Sequence, residues 1–137
     1  MQNKVVRFIL DTNNRFHIGQ EELSRVSMLK FADRVTQLKL SHVFKISKEI
    51  APQYLQQHFT KLQNHHTHNT RNRSSNLFVP QVNSQTIHTF YFTAIKYWNS
   101  LPEVLKQCNS IPHFKSSVKR YLTDRAKAEE ENQYYIY

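Results

Sequence analysis

Residues 29–50 have the sequence LKFADRVTQLKLSHVFKISKEI, in which apolar side chains recur at helical spacing. One set forms a stripe and a second set widens it: Phe31, Val35, Leu38 and His42, then Leu40, Val43, Phe44 and Ile46. Pro52 follows and stops the pattern. The stretch therefore predicts a helix that buries a wide apolar face against other helices.

Shorter helices are expected on both sides of this one. We predict them in four places, at residues 5–10, 20–23, 53–59 and 93–99. Ser100 and Glu103 have the spacing of a capping box, and Ser110 is a candidate N-cap for the last helix. The stripe of that last helix has a clean helical period: Ile111, Phe114, Val118, Tyr121 and Leu122. Most of the chain is therefore predicted to be helical.

Two runs rich in β-branched and aromatic residues, 77–82 and 87–92, flank a turn-forming tetrapeptide. Pro80 restricts the first run to the edge of a sheet, and an isolated hairpin is marginal in water. We therefore expect a mainly α fold, a small helical domain with one β-hairpin packed on the helices. A chain of 137 residues allows one such region, over 1–128, followed by a frayed tail at 129–137.

The chain carries a net charge of +9. The excess is greatest in residues 1–75, which hold 12 Lys or Arg against 5 Asp or Glu. A basic domain of this kind favours a polyanionic partner, and nucleic acid is the first candidate. A basic surface that only confers solubility is the alternative.

Several classes of protein are excluded by composition. The only cysteine is Cys108, so an internal disulfide and a Cys-x-x-Cys zinc site are impossible. The only glycine is Gly19, which rules out a glycine-rich phosphate loop. We predict no cofactor. The sequence has no long apolar run and no secretory leader pattern. We expect an intracellular protein, of the nucleus or cytoplasm, with no membrane partner.

Residues 61–76 form a polar segment without any acidic residue, which predicts an exposed, mobile loop. Its cationic and imidazole side chains are the predicted nucleic-acid-binding residues: Lys61, His65, His66, His68, Arg71 and Arg73. The three histidines lack a cysteine or carboxylate in the loop to complete a metal site, so no metal is expected.

No catalytic constellation is expected. Residues 31–34, FADR, resemble part of a polymerase signature, but the fourth position is Arg34 rather than a second aspartate. The chain has only three aspartates, Asp11, Asp33 and Asp124, and they are scattered. The aromatic residues of 90–98 could stack on bases, but aromatics at such spacing are more often core. Three core residues are predicted: Trp98, Phe114 and Leu38.

Three segments in order carry a family resemblance. The first is QLKLSHVFKI at 37–46 with APQYL at 51–55. The second is HNTR at 68–71 with FVP at 78–80. The third is AIKYWNSLP at 94–102 followed by IPHFK at 111–115. Together they resemble the C-terminal region of reverse transcriptases from non-LTR (LINE-type) retrotransposons, over about residues 2–122. Family members often have Gly where this chain has Ala94, and some end in a cysteine-rich knuckle that is missing here.

The resemblance implies a segment that follows the polymerase palm and carries none of its metal-binding aspartates. It implies a non-catalytic accessory module that binds RNA or DNA weakly and without specificity, with an upstream palm domain as a further partner. Two alternatives stay open. One is a protein-interaction or structural helical module, and the other is a degenerate element product with no retained role.

Overall fold

The computed structural model describes residues 1–62, 75–81, 83 and 85–134. The fold is mainly α, as predicted. The helices are α1 (Gln2–Ile9), α2 (Gln20–Arg25), α3 (Phe31–Ser47), α4 (Gln53–Gln56), α5 (Phe90–Asn99), α6 (Glu103–Lys106) and α7 (Ile111–Tyr134). A 3-10 turn at Thr86–His88 precedes α5. None of the helices in the described residues is long and apolar enough to span a membrane.

The predicted β-hairpin is wrong. Residues of its second strand lie in the 3-10 turn Thr86–His88 and in the first turn of α5. Thr89 has extended backbone at the N-cap of α5, and the Thr93 hydroxyl donates to the Thr89 carbonyl at 2.8 Å. The aromatic run has β propensity, but α5 buries Ala94, Ile95 and Trp98 on one helical face. Tertiary packing of that face overrides the local preference.

The chain forms two compact units. Unit 1 consists of Met1–Val35 and Ser117–Tyr137, and unit 2 consists of Thr36–Ser116. The charge is divided unequally between them. Unit 2 contains 9 Lys or Arg and 2 Asp or Glu, a net charge of +7, whereas unit 1 contains 10 and 8, a net charge of +2. The interpretation of residues 1–128 as one reverse-transcriptase-like region stays a prediction.

The core of unit 2 contains a stacked aromatic pair. The rings of Phe44 in α3 and Phe114 in α7 lie 4.2 Å apart with an interplanar angle of 14°. The Trp98 ring of α5 lies 6.1 Å from Phe114, and all three side chains are buried. Large aromatic side chains dominate the burial energy of a small core. The predictions that Trp98 and Phe114 are core residues are confirmed.

Helix α3 buries part of the predicted apolar face, since Leu40, Val43, Phe44 and Ile46 are buried whereas Phe31 is exposed. Leu38 is 52% exposed, so its prediction as a core residue is wrong. Gln37 is buried instead and donates its side-chain amide to the Lys115 carbonyl at 2.8 Å. Ser41 is buried as well and donates to the Gln37 carbonyl at 2.7 Å. Because these polar groups are hydrogen-bonded internally, they occupy positions that a count of apolar residues assigns to solvent.

Unit 1 brings its two chain segments together through polar contacts of α7. Lys119 donates to the Ser27 carbonyl at 2.7 Å. Lys30 pairs with Glu130 at 2.8 Å, and Arg125 pairs with Asp33 at 3.1 Å. Helix α7 continues to Tyr134, past residue 129, where the sequence predicts a frayed tail. The Glu130 ion pair holds the first part of that tail.

Helix α1 buries only one of its apolar residues fully. Val6 packs with Ile18 and Leu23 in the small core of unit 1. Val5, Phe8 and Ile9 are exposed, and the exposed fraction of Phe8 reaches 87%. An exposed apolar stripe on a helix is typical of an interaction surface.

Helices α1, α2 and α3 end in the same backbone motif, although the chain has one glycine. The residue after each C-cap has left-handed backbone: Asp11 at φ 52°, Ser27 at 55° and Glu49 at 60°. After α3, the Glu49 amide donates to the Ile46 carbonyl and the Ile50 amide to the Lys45 carbonyl, both at 3.0 Å. This is the Schellman pattern, which usually places glycine at the left-handed position.

Glycine at position 49 is expected to stabilise the protein relative to alanine. A Cβ atom costs about 1–2 kcal/mol in left-handed backbone, and part of the gain from removing it is lost to the greater entropy of the unfolded chain. We expect the Glu49→Gly variant to exceed the Glu49→Ala variant in free energy of unfolding by about 0.5–1 kcal/mol. Urea denaturation of both variants measures the difference. Equal stability, or a more stable alanine variant, would contradict the strain at this helix end.

Candidate nucleic-acid interface

The structure describes one of the six predicted binding residues. Lys61 is exposed and forms an isolated antiparallel bridge with Leu77. The other five, His65, His66, His68, Arg71 and Arg73, lie outside the described residues, as does most of the loop predicted over 61–76.

The two ends of this basic segment are held side by side. The Leu62 amide donates to the Asn76 carbonyl at 2.9 Å, and the Phe78 amide donates to the Thr60 carbonyl at 2.8 Å. With the bridge between Lys61 and Leu77, these bonds form a short antiparallel pairing at the base of the segment. The described residues on the two sides of 63–74 are therefore paired with each other.

Side chains at the end of α5 fix this base. The Asn99 amide makes two hydrogen bonds with Leu77, accepting from its backbone N–H at 2.9 Å and donating to its carbonyl at 2.8 Å. The Trp98 indole N–H donates to the Ser75 carbonyl at 2.8 Å. We call this arrangement, Trp98 and Asn99 on residues 75–77, the base clamp. The clamp satisfies the N–H and carbonyl of Leu77 and the carbonyl of Ser75, which the pairing with residues 60–62 does not use.

A polar network extends the base clamp to α6. The Ser75 hydroxyl donates to the Glu103 carboxylate at 2.6 Å, and the Lys106 ammonium donates to the Asn76 side-chain carbonyl at 2.7 Å. The ammonium of Lys106 lies 3.7 Å from the same carboxylate. Burial lowers the pKa of Lys106, although the Glu103 charge opposes this effect. Four side chains thus tie the base of the segment to α6.

The capping box predicted from Ser100 and Glu103 is wrong. The N-cap of α6 is Pro102, and the Ser100 hydroxyl donates to the Tyr97 carbonyl at 2.9 Å. Glu103 instead accepts from Ser75, 28 residues away in sequence. A long-range partner of this kind leaves no trace in local spacing. By contrast, the N-cap role predicted for Ser110 is confirmed, because its hydroxyl accepts from the His113 amide at 3.4 Å.

An open cavity of about 780 Å³ lies beside the base clamp within unit 2. Three cationic side chains line it, from Lys48, Lys61 and Lys106, with the carboxylates of Glu49 and Glu103. Its apolar lining includes Trp98 and other buried residues: Val43, Ile46, Phe59 and Leu77. Lys48 and Lys106 were not predicted, because only the fold brings them to the base of the segment.

The aromatic residues of 90–98 divide into two groups. Trp98 is 2% exposed and belongs to the core, whereas Phe90 is 38% and Tyr91 36% exposed. The prediction that this run is core therefore fits Trp98 but not the first turn of α5. No group of three or more His, Cys, Asp or Glu residues that could hold a metal ion occurs in the part of the chain that the structure describes.

Trp98 should be needed both for the core and for the base clamp. The Trp98→Ala variant is expected to lose about 3–5 kcal/mol of unfolding free energy, because it leaves a large cavity. The Trp98→Phe variant keeps a ring in the core but leaves the Ser75 carbonyl without its donor, so its loss should be about 1–2 kcal/mol. Circular dichroism during urea denaturation measures both, since each variant lacks the only tryptophan. An alanine variant that melts within a few degrees of the parent would contradict the buried position.

No protein-family model, curated protein or solved structure matches this chain. The resemblance to the C-terminal region of non-LTR retrotransposon reverse transcriptases therefore stays a prediction from ordered sequence motifs. In the third motif, Trp98 and Asn99 have a described structural role, since they form the base clamp on residues 75–77.

Proposed function

We propose that this chain is a non-catalytic nucleic-acid-binding module. The observation that carries the proposal is the concentration of charge in unit 2, which holds 9 Lys or Arg against 2 Asp or Glu. A compact unit with this balance attracts polyanions, and phosphate neutralisation supplies most of non-specific nucleic-acid affinity. The resemblance to a post-palm reverse-transcriptase region supports the same function.

The acid-free segment is the proposed contact surface, and its contacts are the predicted residues: Lys61, His65, His66, His68, Arg71 and Arg73. The base clamp supports this assignment, because it fixes residues 75–77, to which the backbone pairing joins residues 60–62 at the other end of the segment. Lys48 and Lys61 line the cavity next to that base and add positive charge there. Phosphate contacts carry no sequence information, so the proposed ligand is RNA or DNA bound weakly and without specificity.

The proposed module has no polymerase chemistry of its own. Two-metal catalysis needs convergent carboxylates, and one of the three aspartates, Asp33, forms an ion pair with Arg125. A reverse-transcriptase palm domain is accordingly proposed as a partner that would supply the catalytic carboxylates.

A second candidate function, a protein-interaction module, is favoured by the exposed stripe of α1. A cleft of about 470 Å³ in unit 1 is lined by apolar residues that include Val5, Leu29 and Phe31, together with the cations Arg34 and Lys119. The residues that line this cleft include no carboxylate. The occupant that fits is an acidic amphipathic helix of a partner protein. A second copy of this chain fits less well, because it would bring like charges together.

The proposed function predicts a salt-dependent affinity that depends on Arg71 and Arg73. If about three to five phosphates are neutralised, the slope of log K against log salt concentration should be roughly −2 to −4 for single strands. The Arg71→Ala/Arg73→Ala variant should flatten that slope by about 1–2 and weaken every sequence alike. Fluorescence anisotropy of labelled single-stranded oligonucleotides measures both effects.

Lowering the pH from about 7.5 to 6 should strengthen binding, because imidazole side chains become protonated there.

A matched control distinguishes the effect of the segment on binding from the effect of the protein's net charge. The Arg120→Ala/Lys127→Ala variant removes the same two charges from exposed positions of unit 1. We expect it to keep the parent slope. If the two double variants behave alike, net charge accounts for binding and the segment is not the contact surface. Affinity for an acidic amphipathic peptide that persists at high salt would favour the second candidate function.

Polymerase activity is expected to be absent from the purified chain. A primer-extension assay with Mg²⁺ or Mn²⁺ and both RNA and DNA templates tests this, because the chain has too few convergent carboxylates to hold two metal ions. Template-dependent incorporation by the purified protein would overturn the non-catalytic assignment.

A further inference from the structure

The first turn of α5 presents a group of aromatic rings at the surface of unit 2. The ring of Tyr91 lies 4.6 Å from the imidazole of His58, with an interplanar angle of 32°. The ring of Phe90 lies 5.5 Å from Tyr91 and 5.4 Å from His42, in edge-on arrangements at 82° and 75°. His58, Phe90 and Tyr91 are all exposed. The residues of α5 that belong to the core, Ala94, Ile95 and Trp98, follow later in the helix.

Cationic side chains lie over two other rings of α5. The Lys96 ammonium lies 5.5 Å from the centre of the Phe92 ring, and the Lys39 ammonium lies 5.8 Å from that of Tyr97. Lys39 also donates to the Thr93 hydroxyl at 2.8 Å, which holds its ammonium beside α5. The stretches that supply these rings and cations, 36–47, 53–62 and 85–99, contain no Asp or Glu. These stretches of unit 2 therefore combine aromatic and cationic side chains and contribute no carboxylate.

We propose that His58, Phe90 and Tyr91 form a stacking platform for the bases of single-stranded nucleic acid, within the unit that carries a net charge of +7. The inference rests on the proposed function. It adds a second contact surface, which binds the bases of the nucleic acid rather than its phosphates. Every nucleobase has a π face, so aromatic stacking is tolerant of sequence. The histidine ring already packs against Tyr91, and a base would extend that stack.

Chemistry distinguishes this surface from the cleft of unit 1. The described residues that line the cleft include one aromatic ring, Phe31, whereas this surface presents three rings, those of His58, Phe90 and Tyr91. A base can stack on such rings, while the net charge of +7 on unit 2 attracts the phosphates on either side of that base. An acidic peptide would be attracted by the positive charge but would not stack on the rings.

The experiment compares two labelled oligonucleotides with the same length and phosphate charge. One is an oligothymidylate of about 12 nucleotides, a length within the range of single-strand binding sites, and the other is its fully abasic counterpart. In the full-length chain, Tyr91→Ala should weaken binding of the oligothymidylate about tenfold and leave binding of the abasic strand unchanged. The salt slope should also stay unchanged, because no phosphate contact is removed.

Tyr54→Ala is the matched control, since Tyr54 is exposed in unit 2 and is not part of the platform. Its affinity for both strands should equal that of the parent. His58→Ala provides an independent test if Tyr91→Ala unfolds, and it should also weaken only the base-bearing strand. Circular dichroism establishes that each variant is folded.

The outcomes separate the two proposals. If the parent binds neither strand, the proposed function fails. If the parent binds both strands with a steep salt slope and Tyr91→Ala or His58→Ala weakens both equally or neither, the platform is overturned while the phosphate-binding function stands.

Discussion

The side-chain amide of Asn99 takes the place of a neighbouring strand for Leu77. Its oxygen accepts the Leu77 N–H and its nitrogen donates to the Leu77 carbonyl, the pair of bonds that a β-ladder would otherwise provide. The Trp98 indole adds a third bond at Ser75 while its ring fills the core. One short stretch at the end of α5 therefore stabilises the core of unit 2 and also fixes residues 75–77 at the C-terminal end of the basic segment.

Because the end of α5 must both pack in the core and hydrogen-bond to residues 75–77, its sequence is constrained more tightly than by packing alone. A hydrophobic residue of similar volume could replace Trp98 in the core, but it would leave the Ser75 carbonyl without a donor. Aspartate at position 99 would keep the acceptor and lose the donor, so that one Leu77 bond would turn into a repulsion between oxygens. Glu103 and Lys106 of α6 also contact residues 75 and 76, and these contacts require α6 to lie beside the same short stretch of chain.

Sequence patterns predict the helices well wherever a strong local signal exists. Apolar periodicity gives α1, α3 and α7, and the acidic first turn after Gly19 gives α2, in which Glu22 accepts the Gly19 amide at 2.8 Å. The hairpin prediction fails because aromatic residues favour strands locally, whereas burial of Trp98 favours a helix. The predicted face of α3 is right for Leu40, Val43, Phe44 and Ile46 but wrong for Leu38, because Gln37 is buried with an internal partner instead. The burial of Trp98 and the bond from Gln37 to Lys115 both depend on residues distant in sequence.

The candidate site is predictable only in part for the same reason. The acid-free composition of 61–76 is visible in the sequence, as is the concentration of aromatic residues after position 89. The base clamp joins positions 22 or 23 residues apart, and the ring of Tyr91 meets that of His58 across 33 positions of sequence. No periodicity or spacing rule connects such pairs. Only the fold shows that Trp98 belongs to the core while Tyr91 stays at the surface.

The construction of unit 1 from the two ends of the chain affects how it forms during synthesis. Its ion pairs and hydrogen bonds join residues that are 92 to 100 positions apart, from Ser27, Lys30 and Asp33 to α7. At about 5–20 residues per second, the ribosome needs roughly 5–20 s to supply the second half of these contacts. During that interval the apolar side chains of α1 and α2 have no α7 to complete their unit. Unit 2 uses one continuous segment, and its stacked core pair, Phe44 and Phe114, spans 70 positions, so the basic half of the protein is expected to complete its core contacts before unit 1 does.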